Sequence, residues 1–151
     1  MIDLYNDEYF MRQALIEAQK GFEKNEVPVG AVVVSNKHII ARAHNLTEQL
    51  VDVTAHAEIQ AITAASQFLG AKYLKGCTMY VTLEPCKMCA GALYWSQIDK
   101  VVFGVRDENR GAGLFTPALY HPSTLVENGM LKEDCRKILK RFFQQKRKST
   151  I

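Results

Sequence analysis

Long apolar runs are missing from this sequence of 151 residues, and no stretch approaches the roughly 18 apolar residues that a membrane-spanning helix needs. The first segment, Met1–Glu8, is acidic and lacks the apolar core of a secretory signal. Cysteine is scarce: only four occur, two of them in a Cys-x-x-Cys spacing. Outside a secreted context this spacing indicates a metal or redox site before a disulfide. We therefore expect a cytoplasmic protein with no membrane segment.

Internal repeats, low-complexity segments and linkers are also missing from the sequence. The hydrophobic share of 48% and the charged share of 23% are typical of globular proteins. A chain of this length is long enough to bury a core without disulfides. We interpret residues 1–151 as a single domain.

Acidic residues are missing from the stretch 136–148, which nevertheless contains seven basic residues. Because the formal net charge of the whole chain is only +3, the rest of it is net negative. A local basic surface attracts phosphate backbones. Cations near the C-terminal end of a helix also interact favourably with its dipole, and the sequence alone leaves both interpretations open. The seven residues are Arg136, Lys137, Lys140, Arg141, Lys146, Arg147 and Lys148.

Hydrophobic periodicity predicts an alternation of helices and strands, which is typical of the α/β class. The predicted helices cover about 7–24, 55–68, 84–95 and 131–146, and the predicted strands about 31–34, 38–45, 78–82, 100–104 and 124–127. Asn6 or Asp7 is expected to cap the first helix and Thr54 the second, which Gly70 ends. Pro85 suits the first position of the third helix. The loop 106–122 is long enough to indicate a functional or mobile segment.

Two short runs carry candidate catalytic chemistry, namely His56-Ala57-Glu58 and Pro85-Cys86-Lys87-Met88-Cys89. His56, Cys86 and Cys89 supply three zinc ligands, the number typical of a catalytic zinc site with one position open to water. Both runs begin helices that follow strands, so both are expected at the sheet edge where α/β proteins bind ligands. Glu58 is then available to move protons. The expected reaction is hydrolytic, with ammonia leaving an amidine carbon.

A fourth protein ligand would make this site structural rather than catalytic. Cys77 and His44 are the candidates for that position. We expect Cys77 and Cys135 to be buried thiols, because a free cysteine behaves as a small hydrophobic residue.

Four longer runs extend the pattern over nearly the whole chain: Glu26–Val32, Thr54–Ile59, Tyr80–Ala92 and Val101–Asp107. Together they resemble the cytidine deaminase superfamily, which shares the His-x-Glu…Pro-Cys-x-x-Cys signature. The Cys-Ala-Gly-Ala continuation and the last run are more specific, and they resemble the bacterial tRNA-specific adenosine deaminases. The chain departs from that family's usual pattern between Asn109 and Leu125.

This resemblance implies a three-layer α/β/α fold, a five-stranded mixed sheet flanked by helices. It implies one Zn²⁺ per subunit, a homodimer, and a tRNA anticodon stem-loop as partner. The implied reaction converts adenosine to inosine at the wobble position, with the base splayed out of an already single-stranded loop.

The resemblance also assigns roles to residues. His56, Cys86 and Cys89 would bind zinc and Glu58 would shuttle protons. The implied substrate-binding residues are Asn45 at the purine, Val29 and Ala57 in the base pocket, Asp107 near flanking nucleotides, and Phe143 and Arg147 beside the RNA.

Several alternatives stay open at the level of sequence. Asn45 is equally typical of a turn, and Phe142 of either RNA contact or the core. Met88, Tyr94 and Trp95 suit either a partner subunit or the core. A free-base or nucleoside deaminase acting on guanine or cytosine would share the zinc motif. A zinc-stabilised RNA-binding module would instead have four protein ligands and no role for Glu58.

Overall fold

The computed structural model describes residues 3–149, and its elements follow the predicted order. The helices are α1 (Asp7–Glu23), α2 (Ala57–Leu69), α3 (Lys87–Ser96) and α4 (Lys132–Ser149). The strands are β1 (Gly30–Ser35), β2 (His38–His44), β3 (Cys77–Leu83), β4 (Lys100–Val105) and β5 (Leu125–Asn128), and a 3-10 helix covers Ala112–Leu114. Among these described residues, no helix combines the length and apolar character needed to cross a membrane.

The five strands form one mixed sheet in the order β2-β1-β3-β4-β5. β1 pairs antiparallel with both β2 and β3, whereas β3, β4 and β5 pair in parallel. The carboxyl ends of β2, β3, β4 and β5 therefore meet the start of β1 at the same edge of the sheet. The predicted five-stranded mixed sheet is confirmed, and this edge carries the functional site.

Alternating residues of β1 serve two separate cores, as expected of a strand covered on both faces. Ala31 and Val33 belong to the core that includes side chains of α2 and α3. Val32 and Val34 belong to the other core, which includes side chains of α1 and α4. The predicted three-layer α/β/α arrangement is therefore confirmed.

The helix ends confirm some predicted caps and correct others. Asn6 caps α1, because its side-chain oxygen accepts a hydrogen bond from the Tyr9 amide at 2.9 Å, and Gly70 ends α2 with a left-handed backbone at φ 65°. The prediction for Thr54 was wrong: its hydroxyl donates to Asp52 at 2.7 Å, and His56 occupies the N-cap of α2.

The prediction that Pro85 opens α3 was also wrong, because the helix begins at Lys87 and Cys86 occupies its N-cap. His56 and Cys86 have extended backbones, and neither side chain makes a capping hydrogen bond. Both side chains instead extend past the helix ends toward each other, which brings their ring nitrogen and sulfur together.

Candidate active site

A cleft of about 1080 Å³ opens at the edge of the sheet where β2 to β5 end and β1 begins. Its walls combine residues far apart in the chain, from Val27 to Phe143. The predicted location at the carboxyl edge is confirmed. The predicted site residues that line it are Val29, Asn45, His56, Ala57, Glu58, Cys86, Asp107 and Phe143.

His56, Cys86 and Cys89 form a group whose ligand atoms all lie within 4.8 Å of one another. The Nδ1 atom of His56 is 3.7 Å from the Cys86 sulfur and 3.5 Å from the Cys89 sulfur. A tetrahedral zinc ion, with zinc–nitrogen bonds of about 2.0–2.1 Å and zinc–sulfur bonds of about 2.3 Å, would separate such atoms by about 3.6 Å. The nitrogen and sulfur donors therefore fit zinc in both chemistry and spacing.

The two candidates for a fourth protein ligand have contacts elsewhere. The Nδ1–H group of His44 donates to the Asn45 carbonyl at 2.9 Å, and its Nε2 is 3.4 Å from the Lys24 ammonium. The Cys77 thiol donates to the Lys75 carbonyl, and both Cys77 and Cys135 are buried, as predicted. Within residues 3–149 the metal group therefore has three protein ligands, which is the count of a catalytic zinc site.

The two sulfurs of the group differ in how they hold a proton. A hydrogen bond from Cys89, followed in strength by one from His56, lowers the pKa of the Cys86 thiol to about 3. The same Cys86–Cys89 hydrogen bond, together with burial, raises the pKa of Cys89. The thiolate is the form that binds metal, so this lowered pKa favours the charged form of Cys86 that a zinc ligand needs.

Glu58 lies in the first turn of α2 and also lines the cleft, although its residue is only 3% exposed. Burial raises the pKa of this carboxyl to about 7. An acid with a pKa near neutrality can both accept and release a proton at neutral pH, which suits a general acid–base group.

Asn45 forms a turn, as one of its two interpretations predicted, and it also lines the cleft, where its contact with a purine stays a prediction. Its side-chain oxygen accepts a hydrogen bond from the Thr47 amide at 3.2 Å, and its residue is 7% exposed. This bond uses one lone pair of the oxygen, and the amide nitrogen offers a donor group for a ligand. Val29 and Ala57 are buried apolar residues on the same wall.

Asp107 begins the loop that follows β4 and lines the cleft. One of its carboxylate oxygens accepts the amides of Asn109 and Arg110, both at 3.0 Å. This bonding pattern shapes the loop locally, as short acidic side chains do in turns. Asp107 thus organises the segment that carries Arg110 into the cleft.

The aromatic pair on α4 divides between core and cleft. Phe142 is 5% exposed and packs edge-on against Phe22 with ring centroids 5.9 Å apart, so the core alternative is the right one for it. Phe143 is 45% exposed and lines the cleft. Arg147 lies one turn further along α4, outside the set of residues that line the cleft.

Five cationic residues line the cleft, but the sequence pattern indicated only two of them as possible phosphate contacts. The stretch 136–148 contributes Arg136 and Lys140, while the others lie outside it. Lys132, Arg136, Lys140 and Phe143 recur at helical spacing, so this shared face of α4 was readable from the sequence. The five are Arg106, Arg110, Lys132, Arg136 and Lys140.

Two buried carboxylates beside the cleft were missed altogether. Glu26 is 0% exposed and accepts the amides of Glu48 and Gln49 at 2.9 and 2.8 Å. Glu84 is 4% exposed and binds the loop that follows β4. Each is an acidic residue next to an apolar run or a sequence motif, a position that indicates burial. A buried carboxylate needs hydrogen-bond or charged partners inside the protein.

Aromatic residues of the helix pair α2 and α3 are unexpectedly exposed. Trp95 is 76% exposed and Phe68 68%, which rules out the core interpretation for Trp95. Tyr94 is 38% exposed, whereas Met88 is intermediate. Large aromatic residues at the surface of a chain are typical of contact sites.

Comparison with known proteins agrees with this geometry. A protein-family model described as the cytidine and deoxycytidylate deaminase zinc-binding region matches residues 4–105. A tRNA-specific adenosine deaminase of Bacillus subtilis (strain 168) is 46% identical over 147 residues, covering 94% of this chain and 91% of that protein. One of Aquifex aeolicus (strain VF5) is 45% identical over 150 residues, covering 95% and 98%.

Two solved structures of deaminases are also similar to this chain. A structure from work on A-to-I editing by tRNA:A34 deaminases superposes with a TM-score of 0.81 at 41% identity, over 87% of this chain and 99% of that one. A guanine deaminase from Bacillus subtilis has a TM-score of 0.64 at 39% identity, over 67% and 65%. The metal group, the fold and these relatives agree: the chain belongs to the cytidine and deoxycytidylate deaminase zinc-binding family and, within it, to the tRNA-specific adenosine deaminases.

Proposed function

We propose that this protein hydrolytically deaminates adenosine to inosine at the wobble position of a tRNA anticodon. One observation carries the proposal: a single cleft combines the His56–Cys86–Cys89 group and Glu58 with a row of cations on α4. The first part suits hydrolysis of an aminated ring, and the second suits a phosphate backbone. Relatives named tRNA-specific adenosine deaminases support the same conclusion.

We propose that His56, Cys86 and Cys89 hold one Zn²⁺ per subunit, which when bound activates a water molecule for attack. Glu58 is the group that moves protons. Its carboxylate oxygen accepts one from the attacking water and returns protons to the purine ring nitrogen and to the departing amine. Water adds its oxygen to the ring carbon and ammonia leaves, so that adenosine and water become inosine and ammonia.

The base pocket is assigned to Val29, Asn45 and Ala57. The two apolar residues offer a surface for the ring, and the Asn45 amide offers a hydrogen-bond donor. A base in an anticodon loop is already unpaired, so that splaying it into the pocket costs only a few kcal/mol of unstacking. Asp107 and its loop lie where nucleotides flanking that base would pass.

We assign the contacts with the rest of the RNA to side chains of α4. Lys132, Arg136 and Lys140 recur every four residues along the cleft wall, and the exposed Phe143 ring next to them can stack on a base. Arg147 extends the same helix as a phosphate contact.

We further propose that residues 1–151 act as one deaminase domain, in the cytoplasm, as a homodimer. The exposed Phe68, Tyr94 and Trp95 of α2 and α3 are the surface offered to the second subunit. Changing Trp95 to Lys is expected to shift sedimentation from dimer to monomer, because a charge would be desolvated at the contact. Unchanged sedimentation would remove this face from the dimer.

One assay tests the proposed activity. The zinc-loaded protein is supplied with an anticodon stem-loop bearing a wobble adenosine and, separately, with free guanine, cytosine and adenosine. Inosine in the RNA supports the proposal. Turnover of guanine without turnover of the RNA would instead support the function of the guanine deaminase relative.

A third outcome, in which the RNA binds but nothing is deaminated, would indicate a zinc-stabilised RNA-binding module. That alternative needs a closed site of four ligands, whereas the described metal group has three. Glu58→Gln protein serves as the control, since it preserves the size of the side chain and removes its ability to exchange protons.

A further inference from the structure

Glu84 is a buried carboxylate directly between β3 and the metal-ligand segment, and the proposed reaction leaves it without a role. Its side chain is 3% exposed. One carboxylate oxygen accepts the Asp107 amide at 3.0 Å and the other accepts the Gly113 amide at 2.9 Å. The Arg106 guanidinium lies 3.8 Å from the second oxygen. A buried carboxylate is tolerated only with such partners, and here both amides come from one segment and the guanidinium from the residue just before it.

That segment, the Asp107–Gly113 loop, is wrapped closely around the carboxylate. A Cβ atom added at Gly113 would lie 2.8 Å from one Glu84 oxygen, and one added at Gly111 would overlap the other. The loop therefore approaches Glu84 with backbone alone, as glycine allows. This fit accounts for both glycines of the loop.

The same loop is also bound to the two residues that follow Glu84. The Ala112 amide donates to the Pro85 carbonyl at 2.9 Å, and Gly111 forms an isolated β-bridge with Cys86. Three consecutive residues, 84–86, thus hold the loop by side chain and by backbone. The last of them is a proposed zinc ligand.

The loop also faces the cleft, where Asp107, Asn109 and Arg110, like Glu84 itself, are among the lining residues. Nucleotides flanking the target base would pass these positions. Glu84, together with the two residues after it, therefore helps to set the distance between the loop and the metal group.

We propose that Glu84 is a positioning residue for RNA recognition, tying the Asp107–Gly113 loop to the segment that carries Cys86. This inference rests on the proposed function, because it assumes that the cleft receives RNA. Its consequence is specific. Loss of the tie weakens the binding of flanking nucleotides and raises KM for the stem-loop, while the reacting groups, and hence kcat, stay in place.

The test compares Glu84→Gln with Glu17→Gln in the zinc-loaded protein. Glu17 is a matched control, since it is also 4% exposed and ion-paired, to Lys20 at 2.7 Å, but does not line the cleft. Amide hydrogen exchange directly reports the hydrogen bonds between the loop amides and the Glu84 carboxylate. Exchange in the segment 106–114 should rise about tenfold or more only in Glu84→Gln, as expected for loss of a charge-assisted hydrogen bond.

Kinetics on the anticodon stem-loop provide the second readout. In Glu84→Gln, KM should rise about tenfold at nearly unchanged kcat and zinc content, whereas Glu17→Gln should leave KM unchanged. Gly113→Ala, which displaces the carboxylate from the loop side, should show the same KM effect. Finding both effects supports the inference.

Two results would overturn it. One is exchange that rises evenly along the chain in both Gln variants, which a general loss of stability would produce. The other is a fall in kcat at unchanged KM. If the wild-type protein leaves the RNA unmodified, the proposed function fails instead, and the exchange measurement still decides whether Glu84 anchors the loop.

Discussion

His56 and Glu58 are two residues apart, yet their surroundings give them different chemistry. His56 occupies an N-cap with its ring nitrogen facing two sulfurs. Glu58 is the second residue of α2, and its burial raises the pKa of its carboxyl to about 7. The proposed assignment gives metal binding to His56 and proton transfer to Glu58, so substitutions at the two positions should have separable effects.

Replacing Glu58 with Gln should abolish deamination while leaving zinc in place. General acid–base catalysis contributes typically 10²–10⁴-fold, so the rate should fall by about that factor or more. Inosine formation and metal content per chain are measured together, with Cys86→Ala as the reference for zinc loss. Loss of zinc from the Gln variant to the level of that reference would make Glu58 a ligand and contradict the assignment.

The Tyr120 hydroxyl is buried and has no hydrogen-bond partner among the residues that the structure describes. Burial is also the main cause that raises the pKa of this phenol. An unpaired buried polar group costs about 1–3 kcal/mol. Tyr120→Phe should therefore leave the free energy of unfolding unchanged or increase it, as urea denaturation of the zinc-loaded protein would show. A clear decrease would reveal a partner for this hydroxyl.

At the scale of elements, α1 lies so close to β1 that Gly30 has no room for a side chain. A Cβ atom there would overlap the Ala14 carbonyl and the Ala18 amide. Because both atoms belong to the helix backbone, the helix as a whole would have to move. This contact helps to fix the start of β1 and, with it, the position of Val29 in the cleft.

Gly30→Ala should lower the free energy of unfolding by about 1–3 kcal/mol or more, the usual cost of overpacking. Gly21→Ala, in helix α1 itself, is the matched control. A Cβ at Gly21 would meet His44 at an ordinary 3.5 Å, and alanine favours a helix over glycine by about 0.5–1 kcal/mol. The two variants should therefore change stability in opposite directions in chemical denaturation. Equal changes would contradict this account of the α1–β1 contact.

Most of the elements were predictable because their apolar residues follow the period of a strand or helix. The starts of α2 and α3 were not, since His56 and Cys86 occupy N-cap positions that propensity assigns elsewhere. The three metal-facing residues were readable from their spacing. The roles of two further pairs were not readable, namely the buried Glu26 and Glu84 and the cations at 106 and 110. Only the tertiary fold brings these residues to their partners or to the cleft.

At the scale of the whole molecule, charge is distributed unevenly. The chain has a formal net charge of only +3, yet five of its cations line a single cleft. Arg106 is partly compensated by Glu84 and Arg136 by Glu133, at 3.8 and 3.4 Å. Acidic residues line the rest of the cleft, so the positive surface is the α4 wall, where Lys132, Arg136 and Lys140 would concentrate a polyanion.

This distribution predicts that salt weakens RNA binding, and that Lys132 and Lys140 account for a measurable part of the effect. Each lysine that contacts a phosphate contributes about one to the slope of log affinity against log salt concentration. Changing either one to Gln should flatten the slope for the anticodon stem-loop by about that amount, measured by fluorescence anisotropy over a salt series. Lys75→Gln is the control, because Lys75 is exposed just before β3, at the opposite edge of the sheet. An affinity that does not vary with salt, or an equal effect of all three variants, would exclude the α4 face as the path of the RNA.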